Sequence, residues 1–494
     1  MSRLAEALSP LDSLFLHLES PRTPMHSGFV GIVEGGSLRD SQGRLRLQDI
    51  RSEIDHRLHL VPKLRQRVRF SLLGETTPVW VDDPHFDIAN HVRQSDRSKL
   101  AGEAEVLDLC GEFMQRRLDR GRPLWEIWFV DGLEGGRVVV VGKLHHALAD
   151  GIGDVELATV LFDLECRPLS PDVSIDSWEP SPPPGWSQVV AYDFARQGAA
   201  SLHMTAIALG AIQHPRRAGR EFALYADAFR SLVRGLSVDS ACSMNVHVGE
   251  TRRAAFIRQR VDELQRAERH FGMTLNDLVL TAVAGGLHDL LSARGEQVED
   301  RTVAALVPVG IDHHGDHRLG NRISGMIVRL PIGSLEPVDR LDAVSGAEAN
   351  SKHHHQALAS KFLLDLLDRW PQPALTALSR LVQHQPFVNL VVTNVPGPGN
   401  PLYVMGARVL EVFPFVPLAG NLSVSVAVLS YDGQLTVGVL ADPAACPDLT
   451  VLVDGIGRSF AELVAAADEQ HPNTADLVGK RADGHQSVRA RGAR

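Results

Sequence analysis

The chain has 494 residues, which is more than one ordinary hydrophobic core supports, so we expect two domains. Its hydrophobic fraction of 44% and charged fraction of 22% are ordinary for a globular protein, and its net charge of -10 argues against general nucleic-acid binding. The four cysteines form no CxxC pair, which argues against a zinc ribbon and favours reduced thiols in a cytosolic protein. Residues 1–15 lack an apolar signal core, so we expect no export signal.

Strand and helix signals alternate over the first 170 residues. HSGFVGIVEG (26–35) predicts a strand, and LQDIRSEIDHRLHLVPKLRQRV (47–68) predicts an amphipathic helix, because apolar residues recur there at three- and four-residue spacing. LWEIWFV (124–130) and RVVVVGKL (137–144) predict two strands that the turn DGLEGG joins into a hairpin. DVELATVLFDLEC (154–166) predicts a helix.

A stretch rich in proline and serine (168–186) predicts a linker, and a second region of mixed helix and strand signals starts near residue 251. This region is predicted to contain a helix at 274–293, strands at 302–309, 322–332, 388–395, 422–431 and 434–441, and helical patterns within 339–384. The predicted domains are residues 1–170, a linker segment with helices at 171–250, residues 251–470, and a polar, disordered tail at 471–494.

The segment closest to a membrane span is residues 197–215, which carry no formal charge. It contains glycine, histidine, threonine and glutamine and is only mildly apolar, so it does not meet the requirement for roughly 20 predominantly apolar residues. Docking onto a membrane surface remains open, since Arg216, Arg217 and Arg220 follow directly.

The sequence KLHHALADGIGD (143–154) carries the strongest chemical signal. Because alternate strand residues face opposite sides, His145 and His146 are predicted to point in different directions, one inward and the other into a cleft. A neutral imidazole can act as a general base near neutral pH. Asp150 can orient the turn or fix a ring tautomer, and the amide of Gly151 can donate to an oxyanion. No G-x-S-x-G sequence is present, which favours direct transfer over an acyl-enzyme.

By itself, a histidine pair on a strand is more often structural than catalytic. The chain has 22 histidines, and the clusters at 353–355 and 313–317 resemble exposed runs in loops or at helix ends. No H-E-x-x-H or other ordered three-ligand spacing appears, so we predict no metal site.

HHALADG matches the HHxxxDG signature of an acyl-CoA-dependent acyltransferase superfamily that also contains condensation domains. LSPLDSLFLHLESPRTPMHSG, RPLWEIWFVDGLEGGR, LNDLVLTAVAGGL and VVTNVPGPGNPLYVMGARV resemble, in the same order, blocks of the bacterial wax ester synthase/diacylglycerol acyltransferase family, mycobacterial type. The resemblance runs from about residue 8 to about residue 465. It implies an α/β fold of two chloramphenicol-acetyltransferase-like domains with a central tunnel between them. It also implies acyl transfer from acyl-CoA to a diacylglycerol or long-chain alcohol.

The resemblance assigns roles to individual residues. It implies that His146 is the general base, that His145 and Asp150 shape the motif, and that Gly151 lies beside the reacting carbonyl. Asn276 and Asp277 match a second-half ND block and are candidates for substrate binding, although an Asn or Asp at a helix start is an equally good interpretation. Many relatives carry a serine where this chain has Gly310, and the role of the His-rich loop 313–317 stays open.

The leading hypothesis is an O-acyltransferase that makes triacylglycerol, with wax esters as a further product class, acyl-CoA as co-substrate and no cofactor. The alternatives are a non-catalytic lipid-binding or lipid-droplet protein, and a condensation-type enzyme that acts on carrier-bound acyl chains. Because the acceptor is nearly insoluble in water, we expect a cytoplasmic protein that works at the surface of the inner membrane or of lipid droplets. The preferred acceptor, the acyl chain length and the oligomeric state are left open.

Overall fold

The computed structural model describes residues 6–70, 78–97, 100, 102–149, 160–167, 178–185, 187–188, 242–310, 323–353, 379–380 and 383–469. Several predictions therefore lie outside the described residues. They concern residues 154–159 of the helix predicted at 154–166, the uncharged segment 197–215 with its arginines, the His-rich loop 313–317 and the tail at 471–494. Of the described residues of that predicted helix only Val160 and Leu161 are helical, so its extension to residue 166 was wrong.

The first six-stranded sheet is built mainly from the N-terminal half. Its strands are β1 (His26–Glu34), β4 (Val92–Gln94), β5 (Trp125–Leu133), β6 (Arg137–His145), β11 (Tyr403–Val404) and β12 (Ala407–Phe415). They follow the order β11-β12-β1-β6-β5-β4, and only the pair β4–β5 is parallel. The predicted hairpin is confirmed, because β5 and β6 pair across a tight connection in which Gly135 and Gly136 adopt positive φ values of 74° and 71°.

Helices and a small hairpin cover this sheet. They are α1 (Pro10–Leu18), α2 (Leu47–Arg57), α3 (Glu103–Gln115), α4 (His146–Ala149) and the paired strands β2 (Gln66–Arg69) and β3 (Val79–Asp82). The helix predicted for 47–68 ends early, at Arg57, and continues as two short 3-10 turns before β2 begins. Pro62 explains the break, since a proline lacks the amide hydrogen and biases the preceding residue, here Val61, away from helical dihedral angles.

The second six-stranded sheet lies in the C-terminal half and has the order β7-β14-β13-β10-β8-β9. Its strands are β7 (Arg253–Arg260), β8 (Thr302–Gly310), β9 (Ile323–Pro331), β10 (Leu390–Pro396), β13 (Val424–Tyr431) and β14 (Gln434–Ala441). Its helices are α5 (Val261–Phe271), α6 (Leu275–Ala293), α7 (Pro337–His353) and α8 (Leu449–Glu469). The predicted helix at 274–293 and the predicted strands of this region are confirmed to within a few residues.

Glycines allow α6 and α8 to pack closely against each other. A Cβ atom added at Gly286 would lie 2.5 Å from the side chain of Ile456, and one added at Gly455 would lie 2.8 Å from the backbone of Gly286. Both distances are shorter than van der Waals contact, so any larger residue would force the helices apart. The apolar run that contains AVAGGL is therefore core, with its glycines at the helix–helix contact.

Two strands cross from the second half into the first sheet. β12 pairs with β1 and β11 pairs with β12, although β10 before them and β13 after them belong to the second sheet. Phe413 of β12 stacks on Phe256 of β7 with ring centroids 3.8 Å apart, in a buried cluster that also contains Val139 and Val141 of β6. The two halves thus share a core through β12. The domain boundaries remain a prediction, but a simple division by residue number separates β12 from the sheet to which it belongs.

Candidate active site

The first helix carries two side chains to the histidine pair. It begins with a reciprocal cap, in which Asp12 N–H donates to Ser9 Oγ (3.0 Å) and Ser9 N–H donates to Asp12 Oδ2 (3.2 Å). Pro10 occupies the first turn, where no amide hydrogen is needed. The helix ends at Glu19, whose N–H donates to Phe15 O. Phe15 and Glu19 are four residues apart and so lie on the same face of the last turn.

The pairing of β1 with β6 brings a third histidine to the site. His26, at the start of β1, lies opposite His145, at the end of β6, and the ring centroids are 5.8 Å apart. The next residue, His146, has already left the strand, and its N–H donates to Met25 O (2.8 Å). The prediction that alternation along one strand separates His145 from His146 was wrong, since β6 ends at His145 and His146 begins α4.

His145 is fully buried and faces the first helix. Its Nδ1 accepts a hydrogen bond from Ala147 N–H (3.0 Å), and its Nε2 lies 3.6 Å from Glu19 Oε1. Burial lowers the pKa of His145 to about 3, although the negative charge of Glu19 acts in the opposite direction. The ring is therefore neutral at physiological pH, and the bond from Ala147 places its single proton on Nε2.

His146 is half-buried and lies against the aromatic ring of the first helix. It stacks on Phe15 with ring centroids 4.6 Å apart and an interplanar angle of 17°. Burial, with a smaller contribution from His26, lowers the pKa of His146 to about 4. The imidazole is thus unprotonated at neutral pH, which is the form that can accept a proton from a hydroxyl group.

Behind the histidines lies a buried carboxylate that the sequence analysis did not single out. Glu19 Oε2 pairs with Arg117 (3.1 Å) and Arg120 (2.7 Å), whereas Oε1 faces His26 (3.2 Å) and His145. Burial by itself would raise the pKa of Glu19, but the contact with His26, the interaction with His145 and the positive charge of Arg120 lower it well below its ordinary value. Glu19 is therefore an anion at neutral pH.

Glu19 and His26 both lie in the N-terminal block that carried the family resemblance. The signal that could have identified them is a lone carboxylate after an apolar helix, followed by a histidine at the start of a strand. Their partners could not be found from sequence spacing, because Arg120 and His145 are 101 and 126 residues away from Glu19 along the chain.

The remaining predicted site residues are not brought to the histidines by any described contact. Asp150 and Gly151 lie outside the described residues. Asp277 caps α6, since its Oδ2 accepts hydrogen bonds from Thr274 N–H (2.9 Å) and Thr274 Oγ1 (2.6 Å). Asn276 Nδ2 donates to Glu348 Oε1 of α7 (3.1 Å). The helix-start interpretation thus has direct support for Asp277, and the substrate-binding role of both residues stays a prediction.

The block around Trp125 supports β6 from the other side. Leu124 and Trp125 are buried, Trp125 Nε1 donates to Leu64 O (2.7 Å), and Leu124 O accepts a hydrogen bond from His145 N–H (3.0 Å). This contact fixes the end of the strand at the histidine pair.

Within the described ranges, no three or more His, Cys, Asp or Glu side chains are grouped so that they could hold a metal ion. No described helix is both long and apolar enough to cross a bilayer.

The fold is shared with solved structures of acyl-transferring enzymes and condensation domains. A wax ester synthase/diacylglycerol acyltransferase from Marinobacter aquaeolei superposes with a TM-score of 0.65 at 21% identity, covering 94% of this chain and 99% of that one. The first condensation domain of the calcium-dependent antibiotic synthetase gives a TM-score of 0.58 at 17% identity, covering 94% and 97%. These likenesses place the chain in the class of two-sheet folds that these structures share.

Sequence comparison identifies the family within that class. Residues 8–279 match the model for the wax ester synthase/diacylglycerol acyltransferase catalytic domain, and residues 319–464 match the model for the C-terminal domain of the same family. The chain belongs to the wax ester synthase/diacylglycerol acyltransferase family. A probable diacylglycerol O-acyltransferase from Mycobacterium tuberculosis is 31% identical over 468 residues, covering 93% of this chain and 96% of the relative. The predicted family, fold class and enzyme class are confirmed, and neither alternative function is favoured.

Proposed function

We propose that the enzyme transfers an acyl group from acyl-CoA to the free hydroxyl of a diacylglycerol, and that it also accepts long-chain alcohols. The products are triacylglycerol and wax esters, respectively. The family assignment and the names of relatives such as the Mycobacterium tuberculosis diacylglycerol O-acyltransferase support this choice of acceptor. No cofactor takes part, because the thioester already supplies an activated acyl group.

In this proposal His146 is the general base. Its neutral imidazole takes the proton from the acceptor hydroxyl while that oxygen forms a bond to the thioester carbonyl carbon. The tetrahedral intermediate then breaks its C–S bond, and the departing CoA thiolate takes the proton from His146 to become a thiol. The backbone amide of Gly151 donates to the oxyanion, and Asp150 holds the turn. Asn276 and Asp277 contact the substrate from the second half.

The observation that carries the proposal is the state of His146. It is neutral, half-buried and held by a ring stack rather than by a charged partner, and it begins α4 beside two buried neighbours, His26 and His145. Buried side-chain polar atoms usually have at least one hydrogen-bond partner. Within the described part of the chain, the buried Nδ1 of His146 has no hydrogen-bond partner.

The direct test is an acyl-transfer assay with labelled palmitoyl-CoA against a panel of acceptors. We expect labelled triacylglycerol with diacylglycerol, labelled wax ester with hexadecanol, and free CoA in equal amounts. A carrier-protein-bound acyl donor in place of palmitoyl-CoA should be a poor substrate. CoA release without any ester, or ester formation only from the carrier-bound donor, would contradict the proposed reaction.

We also propose that the enzyme works as a peripheral protein at the surface of the inner membrane or of lipid droplets. The candidate contact is the segment 197–215, whose apolar residues would enter the interface while Arg216, Arg217 and Arg220 meet anionic head groups. Replacing the three arginines with glutamate should reduce co-sedimentation with anionic liposomes, and replacement with lysine should not. Equal co-sedimentation of the glutamate variant and the parent protein would show that the contact lies elsewhere.

A further inference from the structure

The two oxygens of the Glu19 carboxylate face two different sets of partners. Oε2 accepts hydrogen bonds from Arg117 and Arg120, whose guanidinium groups can only donate. Oε1 faces the Nε2 atoms of His26 and His145. The Glu19 side chain is 1% exposed and both histidines are fully buried, so water does not screen these contacts.

His145 has a defined tautomer in this arrangement. Its Nδ1 accepts the hydrogen bond from Ala147 N–H, so the single proton of the neutral ring must be on Nε2, the atom that faces Glu19. A buried anion next to Nε2 favours that tautomer because the N–H dipole points toward negative charge. The bond to Ala147 in turn spans the first turn of α4, in which His146 is the residue between the two bonded groups.

Charged groups on the neighbouring elements act on Glu19, His26 and His145. Arg117 and Arg120 follow α3, Glu126 lies on β5, and Lys143 lies on β6 with its Nζ donating to Phe113 O (2.9 Å). Glu19 and Glu126 are the acidic members of this set, and three basic side chains oppose them. Without Glu19, positive charge would dominate the surroundings of the histidines.

We infer that Glu19 is a positioning residue for the proposed reaction: it holds His145 in the Nε2–H tautomer, and His145 in turn fixes the turn that carries His146. This inference rests on the proposed role of His146. Phe15, on the same face of α1, stacks on His146, so one helical turn contacts both motif histidines. In this inference Glu19 acts on the reaction only through this turn.

The substitution Glu19→Gln tests the inference in an almost isosteric way. The arginines still require an acceptor, so the amide oxygen should face them and the amide NH2 group should face Nε2 of His145. Nε2 of His145 must then accept a hydrogen bond from the Gln amide, so the single ring proton moves to Nδ1. The Nδ1–H group would then face the N–H of Ala147, and two donors cannot form a hydrogen bond with each other. We expect kcat for palmitoyl transfer to fall about 100-fold through misplacement of His146, with KM for palmitoyl-CoA changed less than about threefold.

The tautomer of His145 can be measured directly, and it would not change if Glu19 only stabilised the fold. In 15N-histidine-labelled protein, with the His145 signals assigned by their loss in His145→Gln, the parent should show a pyrrole-type Nε2 and a pyridine-type Nδ1. Glu19→Gln should exchange the two. The matched control is Glu296→Gln, which removes a carboxylate that pairs with Arg301 in the C-terminal half and should change neither readout.

The outcomes separate this inference from the proposed function. A pyridine-type Nε2 in the parent protein overturns the inference without any variant, even if Glu19→Gln does not fold. Full turnover in Glu19→Gln also overturns the inference. Recovery of turnover in the double variant Glu19→Gln/Arg120→Gln overturns it too, because the loss in Glu19→Gln would then come from an unpaired arginine. Full turnover in His146→Ala would instead overturn the proposed function.

Discussion

Each half of the molecule contains a helix that begins with the same reciprocal cap, but the two helices have different surroundings. α1 starts at Ser9 with Asp12 as the return partner, and the carboxylate of its C-cap residue Glu19 lies against histidines and arginines. α6 starts at Thr274 with Asp277 as the return partner, and its body packs on α8 through glycines and aliphatic side chains.

The difference shows where the molecule places groups that are costly to bury. Burial of a histidine or a glutamate is favourable only when partners compensate the loss of hydration. The first half arranges such partners around Glu19, His26 and His145, whereas the large core cluster of the second half is aliphatic apart from occasional aromatic and sulfur-containing residues. On the proposed mechanism the chemistry lies at the end of α1 and of β6, and the closely packed pair of α6 and α8 supports the second sheet.

The largest expected effect comes from substitution of His146, the proposed general base. His146→Ala should lower acyl transfer roughly 100- to 10,000-fold, or about 3 to 5 kcal/mol of barrier, because the alcohol then has no general base. Acyl-CoA binding, measured by calorimetry, and the melting temperature should stay close to those of the parent protein.

His145→Ala and Asp150→Ala are the comparison variants for that experiment. His145→Ala leaves Ala147 N–H without its acceptor and empties a buried site, so we expect a lower melting temperature together with weaker activity. Asp150→Ala should behave similarly if Asp150 holds the turn. Near-normal turnover in His146→Ala, with the other two variants inactive but fully folded, would reverse the assignment of roles.

The sequence specified the strands and the motif well but not the environment of the motif. The run of four valines at 138–141 predicted β6, and the glycines of DGLEGG predicted the hairpin, because both signals act over a few neighbouring residues. The partners of Glu19 depend on the β1–β6 register and on the loop after α3, which are long-range properties. The pairing of β12 with β1 could not be predicted for the same reason.

The second prediction concerns the dependence of stability on pH. Burial lowers the pKa values of His145 and His146 from 6.5 to about 3 and about 4, so between these limits the unfolded chain binds more protons than the folded one. Stability should therefore be fully present above pH 6.5 and decrease as the pH falls toward 4, by about 1.4 kcal/mol per pH unit for each histidine. The depressed pKa of Glu19 adds a further loss at still lower pH, below its unfolded-state pKa.

Urea unfolding at several pH values measures this slope. His145→Gln and His146→Gln should each make the curve between pH 6.5 and 4 shallower, because each removes one group that takes up a proton on unfolding. The exposed Asp40, whose pKa is also lowered, serves as a control, and Asp40→Asn should leave this window unchanged. A slope that is unaffected by both histidine substitutions would mean that the two rings are not buried in their neutral form.

The smallest expected effects concern the two caps, and they test the comparison itself. Asp12→Ala and Asp277→Ala each remove the return hydrogen bond of a capping box, so each should lower the free energy of unfolding by about 0.5 to 2 kcal/mol. Their kinetic effects should differ. Asp12→Ala loosens the helix that carries Phe15 and Glu19 and should lower kcat several-fold, whereas Asp277→Ala should raise KM for the lipid acceptor with kcat nearly unchanged. Steady-state kinetics well below the melting temperature separate the two.

If Asp277→Ala changes only stability, Asp277 is a cap and the proposed substrate contact is wrong. If it lowers kcat as much as Asp12→Ala, the start of α6 takes part in catalysis, and the contrast between a reactive first half and a supporting second half does not hold.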